Sequence, residues 1–252
     1  MPMNWKNQTA VVRLMIPQAL TACRIILASL ALFAAILGRH GLAAKLIIYG
    51  VVSDILDGIV ARRLNATTEF GALFDYYADY LCYIVAPAVL SFMVLNDHTS
   101  ATAWVIGGMP LLAGAVRYAR NSGLLKTEAF EEVGFPGLGT FVYGLLCAGL
   151  VLLGNGAILG NQRFRTLVIG AISVLSVMMV TRVRYPKLTV HKGILVPVIL
   201  SLILMPFVLT KVLAACMVIL LISYTVISPF LTHWSSRRFR SQASPESTGD
   251  QG

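Results

Sequence analysis

Charge is scarce in this chain of 252 residues: 12% of positions are Asp, Glu, Lys or Arg, while 57% are hydrophobic. With a mean hydropathy of +0.78, that composition excludes an ordinary water-soluble domain. Cysteine is sparse as well. Cys23, Cys82, Cys147 and Cys216 stand far apart in apolar stretches, with no CxxC pair and no neighbouring histidine, and read as buried apolar thiols. The sequence has no internal repeat and no P-loop, GxGxxG, HExxH or GxSxG pattern, which sets aside an enzyme of nucleoside triphosphates. Nor does the net charge of +9 imply nucleic acid, because the basic residues flank apolar runs rather than forming an aromatic-interleaved patch. Membrane topology and anionic lipid account for it better.

What the chain does have is apolar runs, recurring from Ile16 to Leu231, each near the roughly 20 residues that a helix needs to cross a bilayer. They predict an all-α, polytopic membrane bundle of about eight spans, near residues 16–37, 42–62, 70–96, 101–120, 135–155, 166–184, 193–209 and 212–231. Residues 1–15, with Trp5 and Leu14 beside Lys6 and Arg13, read as an interfacial helix. The first apolar run is long and contains Arg24, so it is not read as a cleavable signal. Residues 235–252 begin basic and turn Ser-rich, as a disordered tail does. Of the 20 Lys and Arg residues, 14 fall on the side of this bundle that carries both termini, which makes that side cytoplasmic.

Of the 11 acidic residues, only Asp54, Asp57, Asp75 and Asp79 fall inside the expected spans. A carboxylate at a span centre costs about 2.5 to 3.5 kcal/mol, so four left uncompensated would cost roughly 10 to 14 kcal/mol. Few basic residues are near enough in sequence to offset that. Divalent cations are the simplest compensation, because hard carboxylate oxygens suit Mg²⁺ or Mn²⁺.

Helical geometry sharpens this reading. Asp54, Asp57, Gly58, Ala61 and Arg62 recur at offsets of three, four, seven and eight, one stripe of the second span. Gly71, Asp75 and Asp79 follow at intervals of four along the third. A short connection makes the two spans antiparallel neighbours, so four carboxylates converge between two helices. Gly58, Ala61 and Gly71 either admit a ligand or let helices pack closely. Arg62 either holds a phosphate or marks the membrane boundary. Intramembrane acids also mark ion pathways in transporters, but those often show paired repeats and broken midplane helices, whereas these acids crowd into two consecutive spans. A silent scaffold would not keep all four spacings.

At these residues the chain resembles the CDP-alcohol phosphotransferase family, whose signature reads DxxDGxxAR, seven or eight residues, then GxxxDxxxD. All eight positions match, from Asp54 to Asp79. A weaker head motif, PNxxTxxR, is matched by Pro17, Thr21 and Arg24, with Gln18 in place of Asn. The resemblance implies a six-helix catalytic core, here residues 16–184, followed by an additional pair of spans at 185–234. It further implies a homodimer with a cytoplasm-facing site for two divalent cations, in a bacterial inner membrane. Asp54, Asp57, Asp75 and Asp79 would hold the cations, with Asp79 also the base that takes the acceptor's hydroxyl proton. Thr21, Asp54, Gly58, Ala61, Arg62 and Gly71 would border CDP-diacylglycerol.

The acceptor alcohol is less determined. Arg117, Arg120, Arg182 and Arg184 end the fourth and sixth spans on the cytoplasmic side, where they either anchor the membrane edge or bind an acceptor carboxylate or phosphate. VTRVRYPKL and VRYARN resemble the IRYP and RLARFN segments of the phosphatidylserine synthase branch, which implies L-serine. GFPGLGTF stands loosely where that branch has a GLPSPA-like stretch, and Arg24 is similar to the head motif of phosphatidylglycerophosphate synthases. Glycerol 3-phosphate and other alcohols stay open.

Overall fold

The computed structural model describes residues 5–64, 68–95, 100–124, 135–154, 161–181, 184–185 and 210–242. Seven helices run through them: α1 (Trp5–Ile36), α2 (His40–Leu64), α3 (Glu69–Leu95), α4 (residues 100–124), α5 (Thr140–Leu153), α6 (Gln162–Val180) and α7 (Thr210–Gln242). Helices α3 and α4 each contain one π-turn, at Leu81–Val85 and Trp104–Gly108. A two-residue antiparallel pairing joins β1 (Phe135–Pro136) to β2 (Arg184–Tyr185).

Three of these helices are long and apolar enough to cross a membrane: the Met15–Ile36 part of α1, α3 and α6. Thr140–Leu153 and Thr210–Val226 are shorter apolar helices. By the same measure α2 falls short, because Lys45, Asp54, Asp57, Arg62 and Arg63 interrupt its apolar sequence. Seven of the eight expected spans coincide with a helix; the one at 193–209 lies outside the described residues. The expected interfacial segment is continuous with α1 from Trp5 onward, with no break before the first span. At the other end α7 stays helical to Gln242, through the first eight positions expected to be a disordered tail, while 243–252 lie outside the described residues.

Among the described residues, α1 packs most extensively against α2. Its turn is set by Gly38, at a φ of 74°, with Arg39 N–H donating to Ala34 O and Gly38 N–H to Ala35 O. Those two bonds satisfy carbonyls that the end of α1 would otherwise leave unpaired. Below the turn, Ala28, Ala31, Ala34 and Ala35 of α1 are buried with Ala43, Ala44, Ile47 and Ile48 of α2. Small side chains let the backbones approach, which is how helices gain contact where lipid offers no hydrophobic driving force.

A second core gathers Ile84, Ile106, Leu138, Val142, Tyr143, Ile172 and Met179 from α3 to α6. Its ends are tied by arginines: Arg165 donates to Leu95 O, and Arg120 donates to Val180 O at 3.0 Å. Large apolar side chains cover the outside, with Phe33, Trp104 and Leu167 between 64% and 74% exposed. That surface suits hydrocarbon.

Candidate active site

Helices α2 and α3 bring the four aspartates together as their stripes require. Carboxylate oxygens of Asp54, Asp57 and Asp75 lie within 4.8 Å of one another. Asp57 is buried, and the other three are partly so. Asp79, one turn beyond Asp75, is not within that triplet and is linked to it through Arg24.

Arg24 is the feature the sequence reading did not place. It is fully buried, and its guanidinium sits in the middle of the acids. Nη1 bonds Asp54 and lies 2.8 Å from Asp79, while Nη2 bonds Asp75 and lies 3.7 Å from Asp57. Sequence offered a signal only in the head motif, where Arg24 follows Thr21 by three residues; its long-range partners were not legible there.

One guanidinium does not balance four carboxylates. The donor set is all hard oxygen, converging from two helices, and that is the chemistry Mg²⁺ and Mn²⁺ prefer. The residues present therefore fit divalent cations.

An open cleft of about 600 Å³ adjoins the acids. Its walls are Pro17, Gln18 and Thr21 of α1, Asp57, Gly58 and Ala61 of α2, and Thr68, Gly71, Ala72 and Asp75 around the start of α3. Thr21 Oγ1 lies 3.2 Å from Asp57 Oδ2 and 3.1 Å from Pro17 O, so its one proton has two acceptors. Ser53 Oγ donates to Leu20 O at 3.0 Å, fixing the same stretch of α1 against α2.

The two glycines of the cleft differ. A β-carbon on Gly58 would meet only the Arg62 guanidinium, at 3.4 Å, so nothing in the packing demands glycine there. One on Gly71 would come 2.9 Å from Thr68 Oγ1, the N-cap of α3, which accepts from Gly71 N–H. Gly71 is thus explained by capping as well as by access. Arg62 does not line the cleft; it is exposed and folds back over Gly58 at its rim.

The acceptor arginines separate. Arg117 is only 7% exposed and lies over Gly137, whose φ of 85° turns the GFPGLGTF segment beneath it. A β-carbon on Gly137 would sit 2.9 Å from Arg117 Nη1. Tyr76 lies within electrostatic reach of Asp75 and Asp79 as well as Arg117. Its ring meets that of Tyr118 edge-on at 5.6 Å, and Tyr118 Oη pairs with Thr140 Oγ1 at 3.0 Å. Tyr76 fills a variable position of the motif, which is why spacing gave no hint of it. Arg120 donates to Val180 O at the end of α6, a helix-to-helix contact that differs from both sequence readings of this residue, membrane-edge anchoring and acceptor binding. Arg184 is described by its backbone alone, paired with Pro136, and Arg182 lies outside the described residues.

Residues 14–178 match the family model for CDP-alcohol phosphatidyltransferase. The chain is 30% identical over 200 residues to the CDP-diacylglycerol–serine O-phosphatidyltransferase of Helicobacter pylori strain J99, covering 79% of this chain and 83% of that protein. It is 31% identical over 143 residues to the protein of the same name from Methanocaldococcus jannaschii, covering 57% and 63%. A CDP-diacylglycerol–glycerol-3-phosphate 3-phosphatidyltransferase of Rickettsia felis is 33% identical over 124 residues, covering 48% and 63%. With the matched region running from the head of α1 to near the end of α6, through the acids and the cleft, the chain belongs to the CDP-alcohol phosphatidyltransferase family.

Proposed function

We propose that this integral membrane protein transfers the phosphatidyl group of CDP-diacylglycerol to the hydroxyl of L-serine, giving phosphatidylserine and CMP. The observation that carries this is the cleft itself. Thr21, Gly58, Ala61 and Gly71, from three helices, line one space together with Asp57 and Asp75. In this reading the CDP group lies there, with Gly58 and Gly71 allowing it close and Arg62 closing over its phosphates from the rim.

Asp54, Asp57, Asp75 and Asp79 would hold two divalent cations, Mg²⁺ or Mn²⁺, which when bound neutralise the pyrophosphate and ease departure of CMP. Asp79 accepts the proton of the serine hydroxyl as its oxygen attacks the phosphorus bearing the lipid. A new P–O bond forms to serine, the P–O bond to the CMP phosphate breaks, and CMP carries away the electron pair. Arg117 and Arg120, with Arg182 and Arg184 on the cytoplasmic side by their place in the sequence, provide guanidinium groups for the serine carboxylate. Tyr76 stands within electrostatic reach of both Arg117 and Asp79, with its ring against Tyr118.

The serine-named relatives favour serine. Glycerol 3-phosphate is the second reading, supported by the Rickettsia relative and by Arg24. Residues 16–184 form the catalytic core, in line with the family match over 14–178; 1–15 lie at the interface, 185–234 add a further pair of spans and 235–252 form a cytoplasmic tail. The protein works as a homodimer in a bacterial inner membrane, with its site and both termini facing the cytoplasm, the side the basic residues favour.

The test is purified protein with CDP-diacylglycerol, Mn²⁺ or Mg²⁺, and a panel of serine, glycerol 3-phosphate and inositol phosphate. CMP release with formation of phosphatidylserine is the expected result. CMP with phosphatidylglycerophosphate would move the assignment to the second reading, and no CMP with any alcohol would remove the transferase reading.

A further inference from the structure

We infer that Arg24 is a built-in counterion that holds the four aspartates together when no cation is bound and weakens cation binding at those same acids. The inference rests on the metal reading above and concerns a residue to which that reading gave no part.

Arg24 reaches the acids along a route shaped for it. Its side chain has no exposed surface and passes Gly50 of α2, where a β-carbon would lie 3.8 Å from Arg24 Cγ and would collide with Cys82 Sγ. The absent side chain at Gly50 thus makes room for the α3 cysteine, and the arginine stem passes beside it at ordinary contact distance. Nε has no hydrogen-bond partner among the described residues, so the guanidinium is held through its two terminal nitrogens alone. Each serves two carboxylates, one from α2 and one from α3. The planar fork suits this; an ammonium would offer one point charge.

A buried guanidinium without a partner is strongly destabilising, and so are four carboxylates at membrane depth without a counterion. Each set offsets the other, so the metal-free protein keeps its acids clustered. The oxygens engaged by Arg24 are carboxylate oxygens that a cation would need. A cation entering there shares or displaces those contacts and meets a positive charge in a medium that screens little.

The probe is Mn²⁺ alone, with no lipid substrate, titrated into wild-type, Arg24→Gln and Arg24→Lys proteins in detergent and followed by the electron paramagnetic resonance of free Mn²⁺. The expected result is binding at least about tenfold tighter in Arg24→Gln, from loss of the like charge, with Arg24→Lys within about threefold of wild type. Metal-free Arg24→Gln melts below wild type, and saturating Mn²⁺ closes the gap. Wild-type protein that binds Mn²⁺ beside an Arg24→Gln that binds it no more tightly overturns the inference and leaves the metal reading standing. Wild-type protein that binds no Mn²⁺ overturns both. If Arg24→Gln survives purification only with Mn²⁺ present, the cation is replacing the guanidinium and the inference holds; aggregation with and without Mn²⁺ alike overturns it.

Discussion

The carboxylate of Asp79 lies 2.8 Å from Nη1 of Arg24, so the residue proposed to take the acceptor's proton is joined to the first helix as well as to its neighbours on α2 and α3. The π-turn at Leu81–Val85 begins two residues later. π-turns are frequent at functional sites, and this one re-aims the rest of α3 without disturbing the four-residue step from Asp75 to Asp79.

Asp79→Asn keeps the shape of the side chain and removes its basicity. Release of CMP should fall by at least about 10²-fold, the low end of what a general base contributes. Binding of CDP-diacylglycerol, measured with labelled donor, should persist. Unchanged turnover would remove Asp79 as the base.

Gly58→Ala separates access from packing. Helix propensity favours alanine by about 1 kcal/mol, and an added methyl meets only the flexible Arg62 guanidinium. The variant should melt no lower than wild type, yet its KM for CDP-diacylglycerol should rise several-fold. An unchanged donor KM would mean that the CDP group does not approach α2 there.

Arg117→Ala and Arg120→Ala should fail differently. Loss of Arg117 should raise the serine KM by about tenfold or more, as expected for a charge-assisted bond of about 1.5 to 3 kcal/mol. Loss of Arg120 frees Val180 O, so it should lower the melting temperature with a smaller effect on serine. An Arg120→Ala variant with an unchanged serine KM would remove Arg120 from the acceptor site.

Gly137→Ala should destabilise the protein by more than the about 1 to 2 kcal/mol that a left-handed residue costs an L side chain. At a φ of 85° the new methyl would also press on Met179 O and the Arg117 guanidinium. A lower melting temperature together with a raised serine KM is expected; a change in neither would detach this turn from the site.

The aspartate stripes, the neighbouring cleft residues and the helical bundle were legible because each rests on local periodicity. A spacing of three or four on a helix fixes a face, and a short connection fixes which faces meet. Arg24 was not legible: its partners lie 30 to 55 positions away, and only the packing of α1 on α2 past Gly50 delivers it to them. The same holds for Tyr76 and Tyr118, which ordinary core packing would explain equally well in sequence. The contact of Arg120 with Val180 O was not legible either, since a basic residue at a span end looks the same whether it binds a ligand, anchors the membrane edge or caps a neighbouring helix.

The loop beneath Arg117 divides the molecule's labour. The acids and the cleft beside them are built from α1, α2 and α3, whereas the residues proposed for the acceptor come from α4 and from the segment that pairs with the turn at Gly137. On the proposed function, exchanging one acceptor alcohol for another would then call for changes in that second set of elements, with the four aspartates kept in place.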